Sequence, residues 1–309
     1  MSDVDVLIVG GGPAGLSAAT ALSRLMHPCI IFDHGVYRNA RAPHMHNVPT
    51  WDHKNPEDFR EAARKDLTDR YKTTSFVRAK VEKLTKLPDG SFEALDSNGK
   101  TYKGKKVVLA TGVEDLYPDI AGYDDCWGRG IYHCLFCHGY EERGAAQAGI
   151  LAVEDMADLM HSTAVGCMAQ RLAKKVVVLT HGNADLTQEI QAACTEKSLV
   201  VDPRRIARFH KVPGNTADVE IEFEDGAKEV FGFIAHKPRS KLNGPWADQL
   251  GVELTPGQDL KVNPPFNETT VPGVFAAGDC ASPFKVVAGG ISMGLFAANG
   301  AAMQVQQSK

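Results

Sequence analysis

The sequence predicts an α/β chain carrying two Rossmann-like nucleotide-binding units. Three observations predict it. Residues 4 to 33 run in order through an apolar stretch, a glycine-rich turn, a segment of helical composition and a second apolar stretch that ends in an acid. From residue 149 a strand, helix, strand, helix alternation begins again. The chain has 309 residues, 43% of them apolar, which is enough to fill two cores.

The first element is VDVLIVG, residues 4 to 10, a short uninterrupted apolar run of the kind a buried parallel strand shows. GGGPAGLSAATALSRL follows with helical composition, and the junction reads Gly10-x-Gly12-Pro13-Ala14-Gly15. The first glycine permits the tight turn, the second lets the backbone approach a pyrophosphate, and the third lets helix and strand pack closely, leaving the phosphates at the helix N-terminus. Pro13 suits the first helical turn, where its missing N–H is not needed. CIIF then ends in Asp33, at the distance where an acid grips a ribose 2′-hydroxyl. A lone glycine motif is weak evidence, but strand, loop, helix, strand and acid in one order specify a dinucleotide site.

Charge and composition exclude other classes. A net charge of −4, a pI near 6.3 and the lack of any lysine or arginine run leave nothing to neutralise phosphate backbones, so no nucleic-acid partner is expected. No apolar run approaches the roughly 20 residues a bilayer span needs. MSDVD passes straight into the first strand without a basic region or cleavage site, which points to a cytoplasmic, reducing setting. Seven cysteines, an odd number, argue there against a disulfide framework and make any close pair a candidate for catalysis or metal binding.

Two later segments name the dinucleotide by resemblance. TTVPGVFAAGD, residues 269 to 279, resembles the second FAD fingerprint of two-dinucleotide-domain flavoproteins, in which the aspartate, here Asp279 after Gly278, binds the ribityl and pyrophosphate region. KKVVLATG, residues 105 to 112, resembles the internal motif of the same group, which ends here in Thr111 and Gly112. A helical stretch from about Val287 would aim its N-terminal dipole at the pyrimidine edge of the flavin. With FAD motifs at both ends, residues 1–116 and 244–309 read as one FAD-binding domain and residues 117–243 as an insertion, with YPDIAGYDD and HKPRSKLNG as linkers rich in turn formers and charge.

The insertion repeats the Rossmann order in GILAV, ADLMHSTAVGCMAQRLA, KKVVVLT and ADLTQEIQAAC, but its first turn lacks the glycines. After Val153 come Glu154 and Asp155, two carboxylates that would repel a pyrophosphate, and THGNADL offers no arginine for a 2′-phosphate. The insertion has the shape of an NADPH domain without the site.

YHCLFCHGYEERG, residues 132 to 144, places two thiols at redox spacing between histidines. Cys134 to His138 also spells the haem c attachment pattern, which belongs to exported proteins. Zinc is a further alternative, although neighbouring residues rarely reach one ion and no second CxxC completes a tetrahedron; inert core thiols are another. Redox catalysis is the reading taken. The order of FAD half, insertion with CxxC near its start and second FAD half resembles low-molecular-weight thioredoxin reductases. HMHNVPTWDH (44 to 53), YHCLFCHGYEERG and the missing glycines narrow the resemblance to fungal thioredoxin-reductase-like dithiol oxidases of the gliotoxin type.

That resemblance implies a homodimeric enzyme of secondary metabolism that closes a disulfide in a small-molecule dithiol, with dioxygen, not NADPH, resetting the flavin. Cys134 would be attacked and Cys137 would pass electrons to the flavin. His138 stands where the family carries aspartate and is the expected base, its ordinary pKa near 6.5 suiting the task; His133 is the alternative. The HMHN segment would run along the flavin, with Asn47 near the isoalloxazine and His44 or His46 on the substrate side. Without a cysteine or carboxylate cluster nearby, no metal is assigned to His44, His46 and His53. Cys29, Cys126, Cys167, Cys194 and Cys280 read as structural. An NADPH-dependent disulfide reductase and a non-catalytic flavin redox sensor remain the alternatives.

Overall fold

The computed structural model describes residues 4–194, 199–214 and 216–307, so the first residues of MSDVD lie outside it. In chain order the first stretch forms β1 (Val4–Val9), α1 (Pro13–Arg24), β2 (Cys29–Phe32), α2 (Pro56–Arg70), β3 (Thr74–Val77), the hairpin β4 (Val81–Lys86) with β5 (Phe92–Asp96), β6 (Thr101–Leu109) and β7 (Val113–Leu116). The middle supplies α3 (Tyr123–Cys126), β8 (Ile131–Tyr132), α4 (Leu135–His138), β9 (Ala145–Leu151), α5 (Leu159–Ala169), β10 (Ala173–Leu179), α6 (Ala184–Ala193) and β11 (Leu199–Asp202). A meander of β12 (Ile206–Lys211), β13 (Val219–Phe223) and β14 (Lys228–Phe231) follows, then β15 (Phe233–Ala235) and β16 (Arg239–Leu242). The chain closes with α7 (Trp246–Leu250), β17 (Val262–Asn263), β18 (Glu268–Thr269), β19 (Val274–Ala276) and α8 (Val287–Gln307).

These elements fall into two compact units, residues 1–40, 48–114 and 241–309 in one and residues 41–47 and 115–240 in the other. The expected linker HKPRSKLNG holds the second boundary, between residues 240 and 241, and contains β16, which pairs with β7. Residues 41–47, expected with the first unit, group with the second. Arg41, His46 and Asn47 all hydrogen-bond to main-chain carbonyls there.

In the first unit a nine-stranded sheet includes the path β17-β18-β19-β6-β1-β2-β3. Five of its strands, β19, β6, β1, β2 and β3, are parallel, and the ends of the first four are in register: Val9 pairs with Phe32 and Leu109, and Leu109 pairs with Ala276. The period-two alternation of β1 sends Leu7 and Val9 to one face and Val6 and Ile8 to the other, and both faces are covered. Trp246 and Leu250 of α7 pack on the first face, and Leu16 and Leu22 of α1 with Ala297 and Ala301 of α8 on the second. A strand covered on both sides must be apolar throughout, which is why VDVLIVG shows no alternation.

In the second unit five parallel strands run in the order β11-β10-β9-β15-β8. Ile150 and Val178 face Leu186 and Ile190 of α6, while Leu151 and Leu179 face Phe209, Ile221 and Phe223 of the meander. Among the described residues no helix is long and apolar enough to cross a membrane.

Helices α1 and α8 touch backbone to backbone. A Cβ on Gly294 would stand 2.1 Å from the Ala14 carbonyl oxygen, which is main chain and has nowhere to go. Gly294→Ala should therefore push α8 off α1 and lower the unfolding free energy by about 1–3 kcal/mol, the usual cost of overpacking. Urea unfolding checks this, and an unchanged midpoint would show that the two helices have slack.

Candidate active site

Parallel register brings the four cofactor segments of the first unit to one sheet edge. Gly10 follows β1, Asp33 follows β2, Thr111 and Gly112 follow β6, and Gly278 and Asp279 follow β19, all at carboxyl ends of adjacent strands, where doubly wound sheets bind ligands. Main-chain hydrogen bonds carry the alignment past the strand ends, from Gly10 N to Phe32 O at 2.9 Å, Ala110 N to Val9 O at 2.8 Å and Ala277 N to Leu109 O at 2.9 Å. Pro13 opens α1, and a Cβ on Gly15 would sit 1.9 Å from the Gly10 oxygen, so helix and turn are in direct contact. The space a Cβ on Gly12 would enter is open. Gly278 reaches Ala14 and Gly290, which ties the second FAD segment to the starts of both α1 and α8; Val287 is the first residue of α8.

Asp33 is held by more partners than its place in the motif suggests. Its carboxylate accepts from Gly35 N–H at 3.0 Å, Tyr37 O–H at 2.7 Å and Arg64 Nη2 at 2.8 Å. Burial alone would raise its pKa, but the hydrogen bonds from Tyr37, Arg64 and Gly35 outweigh it and keep the group below the usual carboxylate range. Asp279 likewise has a cation, Arg38 Nη1, at 3.1 Å. Tyr37, Arg38 and Arg64 were not legible in the motif, since α2 and the loop after β2 bring them from outside its spacing.

An open cradle at Gly12, a helix start beside it, an ionised acid after β2 and an acid–guanidinium pair after β19 fit a flavin dinucleotide. Asp33 would hold the adenosine ribose, the turn at Gly10, Gly12, Pro13, Ala14 and Gly15 the pyrophosphate, and Asp279 the ribityl side.

In the second unit the CxxC pair is a disulfide. Cys134 precedes α4 and Cys137 lies within it, so one helical turn carries both sulfurs, with Cα atoms 5.2 Å apart. Amide N–H groups of Cys137 and His138 donate to the Cys134 oxygen, both at 3.1 Å, and define the turn. A four-residue helix leaves its last carbonyls without partners of its own. The segment between β2 and α2 meets them: Asn47 Nδ2 donates to Phe136 O at 2.8 Å and His46 Nδ1 to Cys137 O at 2.5 Å. Asn47, expected along the flavin, is thus a bracket on the redox turn. His46 also puts Nε2 3.2 Å from the Glu141 carboxylate, a neighbour that sequence spacing did not reveal.

His138 lies between two rings, stacked on Tyr132 at 5.1 Å and edge-on to His46 at 5.9 Å; His44 is 6.5 Å from His46. Burial, with the like charges of His46 and His44 adding to it and Glu141 opposing, pushes His138 down to about 4. The ordinary value near 6.5 assumed from sequence therefore does not hold beside the disulfide, and the imidazole is neutral at pH 7. His133 packs instead against Trp127, 5.7 Å between ring centroids. Of the other cysteines, Cys29, Cys126, Cys194 and Cys280 are buried, whereas Cys167 is exposed on α5 and takes no part in the core. The altered nucleotide turn is built as a short 3-10 turn, with Glu154 at φ +51° and Asp155 paired to Arg239 Nε at 3.2 Å.

Stability should follow His138. Its folded pKa lies below the unfolded value of about 6.5, so the unfolded chain takes up protons first and stability falls as pH drops from about 6.5 to about 4, by about 3 kcal/mol from this group alone. His236, also held to about 4 by burial, adds a similar slope. Urea unfolding across this range should show a shallower loss in His138→Gln than in the parent, and identical slopes would place His138 in a more solvated setting.

Residues 4–304 match the pyridine nucleotide-disulphide oxidoreductase family. The chain is 43% identical over 304 residues to the thioredoxin reductase aclD of Aspergillus oryzae, covering 97% of this chain and 96% of that one. It is 42% identical over 306 residues to the thioredoxin reductase sirT of Leptosphaeria maculans, covering 97% and 94%. The crystal structure of the oxidoreductase from Agrobacterium tumefaciens is similar over the whole of both chains, with a TM-score of 0.89 at 28% identity. With two Rossmann-like units, a dinucleotide cradle and a CxxC disulfide, this chain belongs to the pyridine nucleotide-disulphide oxidoreductases, as a flavin disulfide oxidoreductase of thioredoxin-reductase type.

Proposed function

We propose that the protein is an FAD-dependent dithiol oxidase that closes an intramolecular disulfide in a small-molecule dithiol, of the kind found in secondary metabolites, and delivers the two electrons to dioxygen. The observation that carries this reading is the redox pair on a unit whose nucleotide turn is Val153-Glu154-Asp155 in place of glycines, with Asp155 tied to Arg239. Arg239 balances Asp155, so the repulsion rests on Glu154, at a cost on the order of 4 kcal/mol for a like-charge contact at 4 Å near a protein surface. A reductant that must dock there is disfavoured, and a thiol substrate does not need that turn.

A substrate thiolate attacks Cys134 Sγ and breaks the Cys134–Cys137 bond, forming a mixed disulfide and leaving Cys137 as thiolate. The second substrate thiol, losing its proton, attacks the substrate sulfur of that mixed disulfide, closes the product ring and releases Cys134. His138, neutral at working pH, takes the proton; its low basicity beside the intact disulfide rises once an anionic sulfur is generated nearby, which suits uptake during exchange and release afterwards. Bound flavin supplies the two-electron step from the reduced pair to dioxygen, so one dithiol and one dioxygen give one disulfide and one hydrogen peroxide. The working form is a soluble cytoplasmic homodimer, with no metal and no nucleic-acid partner.

A second reading, an NADPH-dependent disulfide reductase, draws on the names of the relatives as thioredoxin reductases. The two separate on oxygen uptake. Purified protein given a panel of small dithiols should consume dioxygen and release peroxide in equal amounts. Cys134→Ser and Cys137→Ser should each keep bound flavin and lose essentially all of this turnover, because the relay needs both sulfurs. Near-normal oxygen uptake in either variant would sink the relay.

A further inference from the structure

Cys137 is poorly placed to hold an anion. Reduction of the Cys134–Cys137 bond takes up two electrons and one proton, and with the proton on Cys134 it leaves Cys137 Sγ as a thiolate. Cys137 lies in the last turn of α4, where unmatched carbonyls carry partial negative charge that opposes a thiolate. A disulfide on so short a helix is harder to reduce unless donors meet those carbonyls.

His46 and Glu141, two side chains of the same unit, supply a polarised donor. His46 Nδ1 is 2.5 Å from the Cys137 oxygen, and its Nε2 is 3.2 Å from Glu141 Oε1. A carbonyl oxygen has no proton to give, so Nδ1 carries one. Nε2 and Oε1 would turn lone pairs on each other without a proton between them, so the pair holds a second proton there. The pair then carries no net charge but is polarised, with its positive end on Cys137 and its negative end at Glu141. Asn47 gives the turn another donor, a neutral amide on Phe136 O at 2.8 Å, without that polarity. The other rings facing His46, His138 at 5.9 Å and His44 at 6.5 Å, bring no negative charge. With side chains 10% and 31% exposed, His46 and Glu141 are only partly screened by water.

We infer that His46 and Glu141 are positioning residues that set the reduction potential of the Cys134–Cys137 disulfide, stabilising the reduced pair and making the disulfide a stronger oxidant of thiols. The inference rests on the CxxC pair being redox-active and holds whether dioxygen or a nicotinamide completes the cycle. Flavin-loaded protein is equilibrated without oxygen in mixtures of reduced and oxidised dithiothreitol, quenched in acid and alkylated, and the mass of the Cys134–Cys137 peptide is read. In that exchange dithiothreitol gives up two electrons and two protons and closes its own ring, one proton going to Cys134 and one to solvent. His46→Gln leaves the Glu141 carboxylate uncompensated. It should move the equilibrium about 10- to 100-fold toward the disulfide, the worth of a charge-assisted hydrogen bond, which is about 30–60 mV more negative. Glu141→Gln and the double variant should coincide, between the parent and His46→Gln, because both lose the carboxylate and the polarity together. The parent potential in either His46→Gln or Glu141→Gln would overturn the inference. A double variant no higher than His46→Gln would also overturn it, leaving His46 as a bracket on the turn and nothing more. A parent disulfide that dithiothreitol does not reduce would instead defeat the redox reading of the pair, a separate and distinguishable result.

Discussion

Close approach of α1 and α8 is the contact on which the cofactor half depends. The two helices come from opposite ends of the sequence, and at Ala14 and Gly294 only a hydrogen fits between them. That contact seats Gly278 against Ala14, and so delivers Asp279 to the sheet edge already occupied by the glycine turn and Asp33. The register Val9–Leu109–Ala276 makes the same demand from below, because a slip of one residue would turn each strand's core set toward the wrong face. Packing of small residues and parallel pairing thus converge on one result: four segments far apart in sequence end at one edge.

The redox turn works under a different constraint. One helical turn is the shortest element that can present two sulfurs three residues apart, and so short a helix cannot satisfy its own carbonyls. Side chains of His46 and Asn47 supply the missing donors, which explains why residues 41–47 belong with the second unit despite their place in the sequence. The arrangement gathers His44, His138 and Glu141 around His46, and burial then decides the charge: His138, next in sequence to Cys137, is neutral. In the proposed role as base, His138 would gain strength as an anionic sulfur appears nearby, matching proton uptake to thiol exchange.

What could be read from sequence was local. VDVLIVG, the glycine turn, CIIF and Asp33 lie within 30 residues, and each signals through composition and order, so β1, α1 and β2 stood out; the same holds for β9, α5, β10 and α6. CxxC announces itself by spacing. What stayed hidden depends on contacts between distant residues. Arg60 and Arg64 on α2 reach Tyr37 and Asp33, Arg38 reaches Asp279, and Glu141 reaches His46, none at a spacing that a helix or strand period would mark. The basicity of His138 was misread for the same reason, since burial is a property of the packed chain. HKPRSKLNG read as a linker because proline, glycine and charge dominate it, and the boundary between the units does fall within it, at residues 240 and 241; its pairing as β16 with β7 was what composition could not show.

In the proposed function, electrons enter through the Cys134–Cys137 pair from a thiol substrate and not through a nicotinamide nucleotide. The direct test is anaerobic rapid mixing of the flavin-loaded protein with a small dithiol and, separately, with NADPH, following the flavin absorbance. Full bleaching by the dithiol, absent in Cys134→Ser, and no bleaching by NADPH are expected. Rapid bleaching by NADPH, with the dithiol inert, would contradict it and make the protein a reductase.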